Sequence, residues 1–428
     1  MNSETTNDWR NDVWEWTGGQ WIEVTDGFGP EYFFQGHGLA WEPVTQSFLV
    51  DYNGVLKRWD GAWTSLGIDT VGPPNRRYQS LITDWENGSV WMMGGDPGAC
   101  LICFGLSGET LVPGDEDSVQ WFDTAGLYAN CFNAEIPDQL ACDVGQTLEL
   151  HLTLWGWDGE RWSLPYHVPG GGLNAQSNAM MTLALNEITP STISDFQGQA
   201  TLQGFDMYSP LPTELQRHGF AYHEARDRYL VFGGTGALSD NPEAAILSPW
   251  DWELDARWTR DTNLDLHYPT HGFNRPLTRF DAAMAYEPVR EHVLLFGGNH
   301  AMSIYKHGYL TGDDLWAWQS DGTWQRLYPE DPEGDGNPPE MTAPAMAWDP
   351  VRERMVLFGG LHMSEAPFAS LSSALWEWDG TSWEYRGDGQ GLEGGAWPEP
   401  RNRHALAWHP ELETMVLFGG GVTDAEQE

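Results

Sequence analysis

Lysine is almost missing from this chain. Only Lys57 and Lys306 occur in 428 residues, and the remaining basic residues are arginines. Against 21 basic residues stand 63 acidic ones, a formal net charge of −42. A nucleic-acid backbone or a polyanionic membrane surface needs a positive field, so neither is an expected partner. Long apolar runs are missing too: nothing approaches the ~18 uninterrupted apolar residues of a membrane span, and no membrane insertion is expected. The start, Met1-Asn2-Ser3-Glu4-Thr5-Thr6, has no apolar stretch of the kind an export leader carries. The acidic, lysine-poor composition suits an extracellular, periplasmic or cell-surface setting in which a leader has been removed, with a cytoplasmic setting as the alternative. Cysteine is scarce, and all four (Cys100, Cys103, Cys131 and Cys142) fall between residues 96 and 147.

What is present argues against disorder. Forty per cent of residues are apolar and 25 are Trp, enough to build a large core. The 49 Gly and 27 Pro point to many short elements joined by turns.

The arrangement of these residues repeats. Tyr229-Leu230-Val231-Phe232-Gly233-Gly234 recurs as Val293 to Gly298, Met355 to Gly360 and Met415 to Gly420. The first glycines fall at 233, 297, 359 and 419, giving spacings of 64, 62 and 60. Upstream of each is an Ala-aromatic pair: Ala221-Tyr222, Ala285-Tyr286, Ala347-Trp348 and Ala407-Trp408. Downstream come Trp-x-Trp and a further Trp, as in Trp376, Trp378 and Trp383. Each unit reads as four short strands, A to D: Ala-aromatic, apolar run with Gly-Gly, Trp-x-Trp, and the last Trp. Glycines are expected where the backbone passes close under a neighbouring group that a Cβ would strike.

This pattern resembles the kelch repeat, as in bacterial kelch proteins and the central domain of galactose-oxidase-like enzymes. The resemblance implies an all-β fold, a β-propeller of four-stranded blades spanning 1–428 as a single domain. Seven blades are expected, with six as the alternative. Earlier units start at Gly38-Leu39-Ala40-Trp41 and at Tyr78 to Ile82. A degenerate blade is expected over 166–216, with Asn178 to Leu185 as its strand A. The chain begins with an unpartnered C–D pair (Val13 to Trp16, Trp21 to Val24) and ends with an A–B pair (Asn402 to Gly420), so the two ends are expected to complete one blade and close the ring.

In such a blade the A–B and C–D turns share one face and the B–C and D–A loops the other. Every long connection falls in the second set, including a cysteine-containing insertion at 96–147 within a B–C loop. The long-loop face and the channel mouth at its centre are therefore the expected binding surface. Its candidate residues are His37, Tyr78, His218, His404, Arg77, Arg217, Arg403, His300 and His362. His37, His218 and His404 each precede the strand-A aromatic by four residues, and Tyr78 is expected to hold the equivalent place. Two readings stay open: a polar funnel for a small anionic or glycan ligand, or ionic groups paired structurally between blades. Imidazoles at the mouth would suit a metal, but no cofactor is required by the sequence.

An even number of cysteines in one irregular loop fits two disulfides, with zinc and free thiols as alternatives. The Gly-Gly pairs lack the Lys-Ser/Thr of a phosphate loop, and Asp331 to Thr342 lacks the closing Glu of a calcium loop. No catalytic residue is assigned. The expected function is non-enzymatic binding of a protein or of a glycan or small anionic ligand on the long-loop face. A metal-dependent enzyme at the channel mouth and a structural spacer of a surface assembly are the alternatives.

Overall fold

A computed structural model describes residues 9–25, 36–52, 55–66, 78–85, 88–95, 217–226, 228–234, 275–277, 279–300, 310–362, 370–390 and 396–422, together with short strands at 121–123, 147–149, 155–157, 162–163, 250–253 and 258–260 and the single residue 159. The fold is a β-propeller. Five four-stranded antiparallel sheets are each drawn from one stretch of chain, and a sixth four-stranded sheet joins its two ends. Numbered by strand A, blades 1 to 6 begin at Gly38–Glu42, Ser80–Asp84, Gly219–His223, Ala283–Glu287, Ala345–Asp349 and Ala405–His409. These six A strands touch in the order 1-2-3-4-5-6-1 and enclose the axis.

Blade 6 is the seam. Strand A (Ala405–His409) and strand B (Thr414–Gly421) come from the end of the chain, strand C (Trp9–Trp16) and strand D (Trp21–Thr25) from its start. Register runs Trp14↔Leu417 and Trp16↔Met415. The N-terminal strand thus covers the edge of strand B that would otherwise be bare.

The expected seventh blade has no place in this ring. Strand A of blade 2 packs directly on strand A of blade 3. Ser80 Oγ donates to the His218 carbonyl at 3.4 Å, and the Arg217 amide to the Tyr78 carbonyl at 3.4 Å. No inner strand can stand between residues that already touch. Residues 166–216, including Asn178, lie outside the described residues, as do all four cysteines of the 96–147 segment. That segment does fall between strands B (Ser89–Met93) and C (Trp155–Trp157) of blade 2.

The core consists of layers between blades. Alternation decides which residue joins which layer. In strand B of blade 4, Val293 and Leu295 pack with Ala221, Leu230 and Phe232 of blade 3. Leu294 and Phe296 face the other way, onto Met346, Leu357 and Trp383 of blade 5. Tryptophans add bulk: Trp16, Trp21 and Trp408 of blade 6 meet Phe358 and Leu375 of blade 5.

The Gly-Gly pairs brace one blade to the next. The second glycine's amide donates to a carbonyl ahead of the next strand A: Gly234 to Arg279, Gly298 to Met341 and Gly360 to Arg401, each at 2.9 Å. A Cβ on the first glycine would strike the same carbonyl, 2.6 Å from Met341 O at Gly297 and 2.7 Å from Arg401 O at Gly359. On the tight-turn face, arginines of the A–B turns do the bracing. Arg290 Nη2 donates to Asp379 O at 3.0 Å, and Arg226 lies 4.3 Å above the Trp318 ring.

Two buried arginines tie the D–A approach to strand C within a blade. Arg279 grips Asp314 at 2.5 and 2.9 Å, and Arg401 grips Asp12 at 2.7 and 2.9 Å. Each also donates to the carbonyl of the first glycine in its own blade, Gly297 or Gly419, at 2.9 Å. Each aspartate also accepts an indole N–H, from Trp316 and Trp14 respectively, at 2.6 Å. Blade 5 has Met341 and Ala374 at the matching positions: both members of the ion pair are replaced together.

Candidate functional site

The inner strands can be laid over one another residue by residue. Immediately before strand A, the six blades carry His37, Gln79, His218, Ala282, Pro344 and His404. The expectation that Tyr78 matches His37 is therefore off by one: Gln79 holds that place. Tyr78 matches Gly36, Arg217, Asp281, Ala343 and Arg403, one residue earlier.

That earlier position is unusual in its backbone. All six residues have positive φ: Gly36 62°, Tyr78 59°, Arg217 57°, Asp281 54°, Ala343 52° and Arg403 52°. Five of the six are not glycine, and each such left-handed residue costs roughly 1 kcal/mol or more. A chain of hydrogen bonds holds them there. The amides of Tyr78, Arg217, Asp281, Ala343 and Arg403 donate in turn to the carbonyls of Gly36, Tyr78, Arg217, Asp281 and Ala343, at 2.6, 3.4, 2.9, 2.7 and 3.1 Å. The result is a backbone collar around the axis at the D–A end of the inner strands.

Four side chains of the collar converge. The Arg217 guanidinium lies 4.7 Å and that of Arg403 5.6 Å from the centre of the Tyr78 ring. Both approach Asp281 Oδ2, at 3.7 and 3.5 Å. These ion pairs are longer than hydrogen bonds, and both arginines remain about a quarter exposed. Among the described residues, two cations, one carboxylate and one phenol ring thus meet at the collar of a strongly acidic chain. Asp281 was not expected from the sequence. Strict alignment on Arg217 and Arg403 would have found it.

The three histidines one residue further on are buried. His37 Nε2 lies 3.2 Å from the Phe418 carbonyl, and its ring meets the Phe418 ring edge-on at 4.9 Å. His404 repeats this against Phe358, at 5.4 Å. The first glycine of the preceding blade makes room for each ring: a Cβ on Gly419 would sit 2.7 Å from His37 Cε1, and one on Gly359 2.6 Å from His404 Cε1. Burial pushes His37 down to about 4, opposed in part by its hydrogen bond to Phe418. Burial pushes His218 to about 3, and burial with the nearby charge of Arg401 takes His404 to about 3, opposed in part by its hydrogen bond to Phe358. All three are neutral at pH 7. Neither ring nitrogen of His218 has a hydrogen-bond partner among the described residues, and the ring of His404 has only the Phe358 carbonyl.

The remaining expected residues are dispersed. His362 sits on a short hairpin beyond blade 5 (Leu361–His362 with Ser370–Leu371), where Nδ1 lies 2.9 Å from the Glu340 carbonyl. His300 belongs to a comparable small sheet beyond blade 4, paired with Arg279. Arg77 lies outside the described residues. Among the described residues, no group of three or more His, Cys, Asp or Glu side chains is disposed to hold a metal ion.

A cavity of about 580 Å3 runs along the axis, walled by the A strands of all six blades. It begins at the His37–His404 level and reaches Trp85, Pro288, Pro350 and Pro410 at the A–B turns. None of the six collar residues lines it. The cavity therefore reaches the tight-turn end of the barrel of inner strands, while the collar lies across its other end.

No family model matches the chain, and no curated protein matches it. Among solved structures it is similar to "Structure of YjhT", with 10% identity, 91% of each chain covered and a TM-score of 0.48. It is also similar to "The structure of putative TolB from Agrobacterium tumefaciens", with 11% identity, 97% of this chain and 99% of that chain covered, and a TM-score of 0.44. The assignment of the fold here rests on the sheet topology.

Proposed function

We propose that this propeller is a non-enzymatic binding module of the kelch type, in an extracellular or cell-surface setting, that takes a small anionic ligand or an anionic glycan on its long-loop face. The observation that carries this reading is the convergence of Arg217 and Arg403 on the axis. Two guanidiniums share one carboxylate, Asp281, at distances too long for hydrogen bonds. Guanidinium groups offer planar paired donors that match carboxylate, sulfate or phosphate oxygens. The strained collar gives these side chains a fixed base, and strain of this kind gathers at ligand sites. Tyr78 adds an aromatic face of the sort that sugar rings and cations pack against.

The chain's charge works against anions at long range, so binding depends on local contacts, and salt that screens the repulsion favours encounter. The test is calorimetric titration of the full chain with citrate and with uronic-acid oligosaccharides at low and physiological salt. Arg217→Ala/Arg403→Ala is expected to weaken binding by ~10-fold or more, about 1.4 kcal/mol. Undiminished binding in that double variant removes the reading.

A further inference from the structure

The polar cluster makes no use of the axial cavity, which lies on the other side of the collar. Its volume, about 580 Å3, is that of a small-molecule pocket. One level of its wall is nearly all alanine (Ala40, Ala221, Ala285, Ala347 and Ala407), which leaves room at the axis. The next level towards the tight turns is aromatic in five of six blades: Trp41, Tyr222, Tyr286, Trp348 and Trp408. An apolar body would be well accommodated between these levels.

The collar end of the cavity differs from its walls. Four of the six residues there, His37, Gln79, His218 and His404, carry hydrogen-bonding side chains. His218 and His404 are only 5% and 7% exposed; neither ring nitrogen of His218 has a hydrogen-bond partner among the described residues, and the ring of His404 is left with the Phe358 carbonyl alone. A buried polar atom without a partner is costly, and a ligand that supplies the missing bond regains that cost. Charge completes the argument. Among the described residues, the only carboxylate lining the cavity is Glu224, at the tight-turn end, although the chain has 63 acidic residues. Arg217 and Arg403 stand one residue before His218 and His404 in the chain. Behind the imidazoles stand two guanidiniums and one carboxylate, Asp281, so among the described residues the charge at this end favours a carboxylate over an ammonium group.

We propose that the axial cavity binds a small carboxylic acid with an apolar body, inserted from the tight-turn face with its carboxylate at His218 and His404. This site lies on the other side of the collar from the anion site on the long-loop face, and the two share only the charge of Arg217 and Arg403.

The experiment titrates the full chain with octanoate, 3-phenylpropanoate and indole-3-acetate, with 1-octanol and octylamine as the neutral and cationic comparisons. Calorimetry gives the affinity, and Trp fluorescence reports on the wall through Trp41, Trp348 and Trp408. At least one acid is expected to bind one-to-one, with octanoate ~10-fold or more tighter than octylamine. His218→Phe/His404→Phe is expected to weaken acid binding by a similar factor while leaving 1-octanol unchanged. Ala347→Trp/Ala407→Trp, which fills the cavity, is expected to abolish binding of all of them but to retain citrate binding at the polar cluster. Should either double variant fail to fold, head-group selectivity in the unaltered protein decides. Octylamine binding as tightly as octanoate overturns the proposal, and so does the absence of saturable binding by all three acids. Acid binding that persists in the filled variant also overturns it.

Discussion

Acid should unfold this protein through buried histidines, three of them at the channel, before it does so through its carboxylates. His37, His218 and His404 are held at about 4, 3 and 3 in the folded chain, against an ordinary value near 6.5. A depressed folded value means that the unfolded chain takes up the proton first. The stability these groups contribute is complete above pH 6.5 and falls as pH drops towards 3 to 4. At pH 5 each is roughly 1.5 pH units below its unfolded value, so each costs about 2 kcal/mol, and the three together cost about 6. That rivals the ~5–15 kcal/mol by which domains are usually stable. The buried carboxylates act lower down. Asp12, tied to Arg401 and Trp14, and Glu287, tied to His292 and Arg290, are depressed despite burial, and their contributions are lost only as pH falls below the ordinary carboxylate range. Relief of charge repulsion at low pH works in the opposite direction, so the measurement must be comparative. Blade 2 already carries Gln79 at the equivalent position, where its amide donates to Asp51 at 2.6 and 2.8 Å. His37→Gln/His218→Gln/His404→Gln is therefore the matched variant. Urea unfolding of both proteins, followed by Trp fluorescence at pH 8 and pH 5, should show the unaltered chain losing several kcal/mol more than the variant. Equal losses would refute the assignment of these rings as buried and neutral.

Two other outcomes follow from the seam. Arg401→Met should cost about 3–5 kcal/mol by leaving Asp12 buried without its partner. Arg401→Met/Asp12→Ala should recover most of that loss, because blade 5 already uses Met341 and Ala374 there; a double variant no more stable than the single one, by thermal melting, would show that the positions are not equivalent. Deleting residues 1–25 removes strands C and D of blade 6 and should abolish cooperative unfolding. A truncated chain that melts like the full one would contradict the closure.

The sequence was legible wherever a physical requirement recurs with side-chain chemistry attached. The Gly-Gly pairs announce blades because a neighbouring carbonyl or imidazole occupies the space of a Cβ, as Arg401 O and His404 do at Gly359. The tryptophans announce them because each inter-blade layer needs bulk. The closure was legible for the same reason, since Trp14 and Trp16 lack a strand B until Met415 and Leu417 arrive. Blade number was not legible. Residues 178–198 carry apolar runs that pass for strands, and what excludes a seventh blade is the contact between residues 78–80 and 217–218, remote in sequence. Register failed in a similar way. Tyr78 is aromatic and stands near His37 in the repeat, yet one residue of slip moves a side chain from the cavity to the collar.

The direction in which the channel opens was the hardest feature to read, and the reason is instructive. Long loops draw attention to one face because loops vary in length and composition. The element lying across the axis on that face is made of main-chain bonds. Its six positions hold Gly, Tyr, Arg, Asp, Ala and Arg, which share no chemistry, only a positive φ. Glycine at position 36 is the single residue among them whose identity suits that conformation. The side chains mounted on this backbone then divide by one step of the chain. At one position Arg217 and Arg403 face Asp281 and Tyr78 over the collar; at the next His218 and His404 are buried at the end of an apolar tube. A two-residue stretch thus carries residues of both proposed sites, which differ in character. Exchanging Arg217 or His218 should separate them, because the first carries the charge that meets a ligand on the long-loop face and the second the uncharged donor that meets one inside.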